Sequence, residues 1–182
     1  LVYKAAKLLM DEFHVQKGVH IRLRKYIPVA AGMAGGSSDA AAVLRGLNTL
    51  FELDLSADEL CRLAAQIGSD VPFCIMGGTM LAKGRGEKIF PAAPFINCAL
   101  VIIKPVISVS TAWAYRNYAE ERVKKHPDSR LMLDELKKGN IDGICRSLGN
   151  VLETVTIEAY PQLSVYKEKL CRYGAKAALM SG

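Results

Sequence analysis

The chain has 182 residues, a formal net charge of +6 and 51% hydrophobic residues, enough to bury a substantial core in one large domain or two small ones. No apolar run approaches the ~18–20 residues of a membrane span, and the basic residues are dispersed rather than gathered into an aromatic-interleaved stripe of the kind that binds nucleic acid. The five cysteines are widely spaced with no CxxC pair, so free thiols in a cytoplasmic, reducing compartment are expected rather than a disulfide or metal framework.

Apolar residues at positions 2, 5, 6, 8 and 9 predict an amphipathic helix that ends before a turn at Lys17 and Gly18. Residues 19–25 alternate apolar and charged side chains, the period of a half-buried strand. The small residues of 28–38 follow. Gly32, Gly35 and Gly36 are expected to take positive φ and admit a ligand closely, while Ser37, Ser38 and Asp39 suit the cap or first turn of a helix. That helix carries an apolar stripe at positions 40, 43, 44 and 47. Unpaired N–H groups at its start, with the helix dipole, favour a di- or triphosphate; a glycine-rich turn with no ligand is the alternative. The loop contains no lysine and does not end as a Walker A motif, and its glycine spacing fits a dinucleotide fingerprint poorly.

Ser56 and Glu59 form a capping box for a helix over residues 57–67. Gly68 stops it, Pro72 opposes its return, and Asp70 is expected on a short connection leading into a strand. A confined acid there can act as a base; capping the turn is the alternative. Residues 79–83 and 87–90 flank a hairpin turn. Residues 98–104 form a continuous apolar run that predicts a central strand ended by Pro105. From Ser110 a helix opens on which Thr111 and Tyr115, four residues apart, share a face. Helices at 131–138, 141–148 and 162–172 follow, then a strand at 176–180. The domain boundary is expected near 91–94 or at 105.

Pro28, Gly32, Gly35, Gly36, Ser37, Ser38, Asp39, Ala40 and Ala41 together resemble the phosphate-binding motif of the GHMP kinases. Leu60, Leu63, Ala64, Ile67, Gly68, Ser69, Asp70, Val71, Pro72 and Phe73, with Gly77, Gly78, Thr79, Gly84, Arg85, Gly86 and Glu87, resemble those members that phosphorylate an alcohol in non-mevalonate isoprenoid biosynthesis. The similarity is dense to about residue 109, thinner in the middle, and returns at 174–182.

The resemblance implies an α+β, two-lobed fold. Residues 1–93 would be an ATP-binding lobe of ribosomal protein S5 domain 2-like type, and 94–182 a ferredoxin-like lobe on the substrate side. Both would be partial, because the family's first strand and its Tyr-His pair have no counterpart here, and the motif reaching Gly182 would be expected to continue. It implies ATP and Mg²⁺ as cofactors, with Mg²⁺ ligands unassigned. The partner would be an alcohol carrying a cytidine diphosphate group, without nucleic acid or membrane, and the protein would be a monomer or weak homodimer.

Asp70 would be the catalytic base and touch the substrate; its customary lysine partner is assigned to no residue here. Lys25, Pro28, Ala30, Gly32, Ala34, Gly35, Gly36, Ser37 and Ser38 would hold the nucleotide, Lys25 at the adenine pocket. Ala34 stands where the family usually has glycine. Thr111 and Tyr115 would face the substrate, the ring stacked on cytosine. Capping remains the alternative for Ser37 and Ser38, and ordinary packing for Tyr115. Another GHMP kinase, of homoserine or mevalonate type, or a non-catalytic nucleotide-binding fragment would share the loop.

Overall fold

The computed structural model describes residues 1–95 and 98–182. Four helices, α1 (Val2–Glu12), α2 (Gly35–Leu50), α3 (Ala57–Ile67) and α4 (Val71–Met76), build the first of two units, which spans Leu1–Val29 and Met33–Pro91. One apolar cluster holds them together: Ala5 and Leu9 from α1, Ala40, Ala41, Leu44 and Leu47 from α2, Leu60, Ala64 and Ile67 from α3, and Val71 and Ile75 from α4. Alanines on these faces let the helix axes approach, and the leucines fill the space between them. The Ser56 hydroxyl accepts from Glu59 N, and the Glu59 carboxylate accepts from Ser56 N at 2.8 Å, completing the capping box that starts α3.

After Gly68 the chain turns back into a helix rather than the expected strand. Pro72 lies in the first turn of α4, where its missing N–H costs no helical hydrogen bond, and it is buried there. The unit ends in an antiparallel hairpin of β1 (Met80–Lys83) and β2 (Lys88–Pro91), with Leu81 opposite Phe90 and Ala82 opposite Ile89.

The second unit comprises Ala30–Gly32 and Ala92–Gly182. Its helices are α5 (Thr111–Asn117), α6 (Ser129–Lys138), α7 (Ile141–Ser147), α8 (Glu153–Ala159) and α9 (Gln162–Arg172), with a 3₁₀ turn at Glu120–Arg122. In the α6–α7 hairpin, Glu135 is buried and accepts from Lys138 and Asn140. A Cβ on Gly143 would stand 1.8 Å from its carboxylate, so glycine is what lets α7 close over Glu135. Trp113 meets Tyr160 edge to face at 5.9 Å. Glu153 accepts from Lys167 and from the backbone N–H of Met180.

The fold is α+β, but three expected strands do not form. Residues 19–25, 98–104 and 176–180 join no β-ladder among the described residues. Their patterns suit strands, yet a strand exists only through a partner's hydrogen bonds. Without one, Leu100, Val101 and Ile102 remain largely exposed. Among the described residues, no helix is long and apolar enough to cross a membrane.

Candidate active site

Helix α2 begins two residues earlier than Ser37. Its N-cap is Ala34, in the left-handed region at φ 48° and ψ 24°. Ala30 (φ 53°) and Gly32 (φ 64°) also have positive φ, whereas Gly35 and Gly36 are helical. The expectation that all three glycines carry the positive φ is therefore corrected: two alanines share that role with Gly32. Gly35 and Gly36 are small for another reason. A Cβ on Gly35 would stand 2.8 Å from Ile27 Cγ2, and one on Gly36 would stand 3.1 Å from Leu1 Cδ1.

The first-turn amides of α2 lack the intrahelical partners that later residues have, and among the described residues no side chain caps them. Such amides at the positive end of the helix dipole are the chemistry of an anion site. Ser37 lies in that first turn. The Ser38 hydroxyl is engaged within the helix, donating to the Gly35 carbonyl at 2.9 Å. Lys25 donates to the same carbonyl at 3.0 Å and forms an ion pair with Asp39. Lys25, Gly35 and Ser38 are thereby brought together, with Asp39 added by the structure.

In the second unit, the Ser181 hydroxyl donates to the Gly32 carbonyl at 2.7 Å, and a Cβ on Gly32 would lie 1.9 Å from the Ser181 carbonyl oxygen. Gly32 thus needs to be glycine both for its φ and for this approach. Asn150 supports the same segment, its side-chain amide donating to the carbonyls of Met180 and Gly182, each at 2.9 Å. Neither Asn150 nor Glu153 stands out in the sequence. Only the fold shows that they hold residues 180–182.

Asp70 occupies the N-cap position of α4, is exposed, and among the described residues makes no side-chain capping bond. Its carboxylate is not used to close the turn. Gly86, at φ 107°, brings the hairpin turn close to it: a Cβ there would be 3.9 Å from Asp70 Oδ1. Arg45 of α2 donates to the Ile75 carbonyl at 3.3 Å, tying α4 to the helix that begins at the glycine loop. Burial, and secondarily the negative charge of Asp70, push the Cys74 thiol up, with Arg45 opposing. Both causes favour the thiol of Cys74 over its thiolate.

Thr111 and Tyr115 lie on α5 of the second unit, where the Ser110 hydroxyl accepts from Trp113 N at 3.3 Å. Tyr115 is 66% exposed, unlike Trp113, which packs on Tyr160. Pro28 is exposed on the approach to the loop. No group of three or more His, Cys, Asp or Glu side chains that could hold a metal ion occurs among the described residues. A Mg²⁺ ion carried on phosphates keeps several waters and takes few protein ligands, so it needs no such cluster.

The uncapped start of α2 follows a left-handed turn, and Asp70 lies at the start of α4, a helix that packs in the same core. Residues 1–78 match the family described as GHMP kinases N terminal domain. The chain is similar over all 182 residues to proteins named 4-diphosphocytidyl-2-C-methyl-D-erythritol kinase. Those of Bacillus velezensis, Listeria monocytogenes serotype 4a and Geobacillus thermodenitrificans are 53%, 52% and 54% identical. The chain spans 63%, 62% and 62% of their respective lengths. A crystal structure of 4-(cytidine 5'-diphospho)-2C-methyl-D-erythritol kinase matches with a TM-score of 0.78 at 32% identity, covering all of this chain and 65% of that one.

Proposed function

We propose that the protein transfers the γ-phosphoryl group of ATP to the 2-hydroxyl of 4-diphosphocytidyl-2-C-methyl-D-erythritol, as a cytoplasmic enzyme of isoprenoid biosynthesis acting as a monomer or weak homodimer. The observation that carries this reading is identity above 50% along the whole chain to kinases named for that alcohol. The chemistry of the first unit supports it.

Phosphoryl transfer passes through a loose transition state that asks the protein for positioning, for stabilisation of charge on the phosphoryl oxygens, and for one group to take the hydroxyl proton. The amides at the start of α2 would hold the phosphates, with Pro28, Ala30, Gly32, Ala34, Gly35, Gly36 and Ser37 shaping the cradle. Mg²⁺, when bound with the nucleotide, offsets phosphate charge, with Ser37 as its candidate protein ligand. Asp70, exposed and not consumed by capping, would accept the proton of the substrate hydroxyl. Residues 1–93 form the nucleotide lobe in this reading, and 94–182 the substrate lobe. Thr111 and Tyr115 serve the substrate there, the exposed phenol ring offering a stacking face for cytosine.

Incubation with ATP, Mg²⁺ and that alcohol should yield ADP and the phosphorylated product. Asp70→Asn should lower kcat by about 10²–10⁴-fold, the usual contribution of a positioned base, while ATP binding stays within about twofold of the unmodified protein. Full turnover by the variant would overturn the assignment of the base. Faster turnover of homoserine or mevalonate would move the reading to another member of the family.

A further inference from the structure

The glycine loop carries no lysine, and the charged side chain in the first five residues of α2 is an acid, Asp39. An unpaired carboxylate there would oppose the anion that the helix start otherwise attracts. Lys25 answers it. Its ammonium pairs with Asp39 and donates to the Gly35 carbonyl at 3.0 Å, the carbonyl that also receives the Ser38 hydroxyl. The two side chains are only 29% and 19% exposed, so water screens the pair less than it would a surface pair. Lys25 lies on residues 19–25, which no β-ladder holds among the described residues, and it is fastened to α2 by these contacts.

We propose that Lys25 is a positioning residue for the phosphate cradle: it cancels the charge of Asp39 and anchors the first residue of α2, so that a polyphosphate meets the helix start without a competing carboxylate. The proposal rests on the reading of this loop as a phosphate site. It differs from a contact with adenine in what it predicts, because the role is indifferent to the base and depends on Asp39.

The test compares the purified protein with Lys25→Met, Asp39→Asn and the double variant, measuring inorganic tripolyphosphate and ATP binding by calorimetry. Asp39 lies about 6 Å of helix rise beyond Gly35. Exposing its charge should weaken both ligands on the order of tenfold, from Coulomb repulsion summed over several phosphate charges at a near-surface dielectric. Asp39→Asn in the Lys25→Met background should restore both to within about threefold, and Asp39→Asn alone should bind as tightly as the unmodified protein or more so. Lys25→Arg keeps the charge and should retain binding, which separates the electrostatic role from a general loss of folding.

The proposal is overturned if Lys25→Met weakens ATP but leaves tripolyphosphate unmoved, since the lysine would then read the base. It is equally overturned if removing Asp39 fails to rescue, or if the unmodified protein does not bind tripolyphosphate. Binding of tripolyphosphate by the unmodified protein without phosphoryl transfer to any alcohol would instead defeat the proposed reaction and leave this comparison standing.

Discussion

Ala34 caps α2 in the left-handed region at φ 48°, a conformation that glycine adopts freely and alanine does not. The strain costs a non-glycine residue roughly 1–2 kcal/mol, and glycine's greater freedom in the unfolded chain takes back about 0.5–1 kcal/mol of that. Ala34→Gly should therefore stabilise the protein by ~0.5–1 kcal/mol, raising Tm by roughly 1–4 °C in a chain of this size. Ala34→Val supplies the opposite arm. A β-branched side chain at that φ is a genuine outlier and should destabilise by about 2 kcal/mol or more. Both shifts are read from denaturant titration, with circular dichroism reporting the helices. If the glycine variant were neutral or less stable, Ala34 would not hold the left-handed turn in solution, and the uncapped start of α2 would have to be rebuilt.

Gly32→Ala meets both a positive φ and the Ser181 carbonyl, so it should cost about 3 kcal/mol or more; a loss below 1 kcal/mol by denaturation would show that residues 181–182 do not rest on Gly32. Ser56→Ala removes the cap of α3 and should cost ~1 kcal/mol. The same variant should change the acid limb of stability. Hydrogen bonds from the Ser56 side chain and backbone hold the Glu59 carboxyl below its ordinary value, so the folded state binds fewer protons than the unfolded chain. The contribution is complete above that ordinary value and is lost as pH falls through the lowered one. Stability of the unmodified protein should therefore drop more steeply on acidification than that of Ser56→Ala, and parallel curves would refute the coupling. Tyr115→Ala should raise KM for the cytidine-bearing alcohol by about 5- to 150-fold, the usual worth of aromatic stacking on a base, leaving KM for ATP unchanged; an equal effect on both would reduce Tyr115 to a packing residue.

Local rules reach furthest in α3 and the hairpin. Ser56 and Glu59 are three residues apart, and the bonds between them depend on nothing else in the chain. The turn at Gly84–Gly86 is likewise set by residues that tolerate positive φ. The extended segments show where such rules stop: residues 98–104 have a strand's composition, but composition cannot supply a ladder partner, and none forms among the described residues. Pro72 misled for a related reason, because a proline that breaks one helix is equally at home in the first turn of the next.

The sequence by itself determined that a glycine-rich loop runs into a helix between Pro28 and Ser38 and that Asp70 follows a helix stop, since glycine, proline and capping residues act over a few positions. Tertiary structure decided what those residues do. It moved the helix start to Gly35, placed the left-handed strain on Ala30 and Ala34, engaged the Ser38 hydroxyl on the Gly35 carbonyl, joined Lys25 to Asp39 across fourteen positions, and set Ser181 on Gly32 across 149. Contacts between residues so distant in the chain form only when the core brings their elements together, and no local pattern of amino acids encodes them.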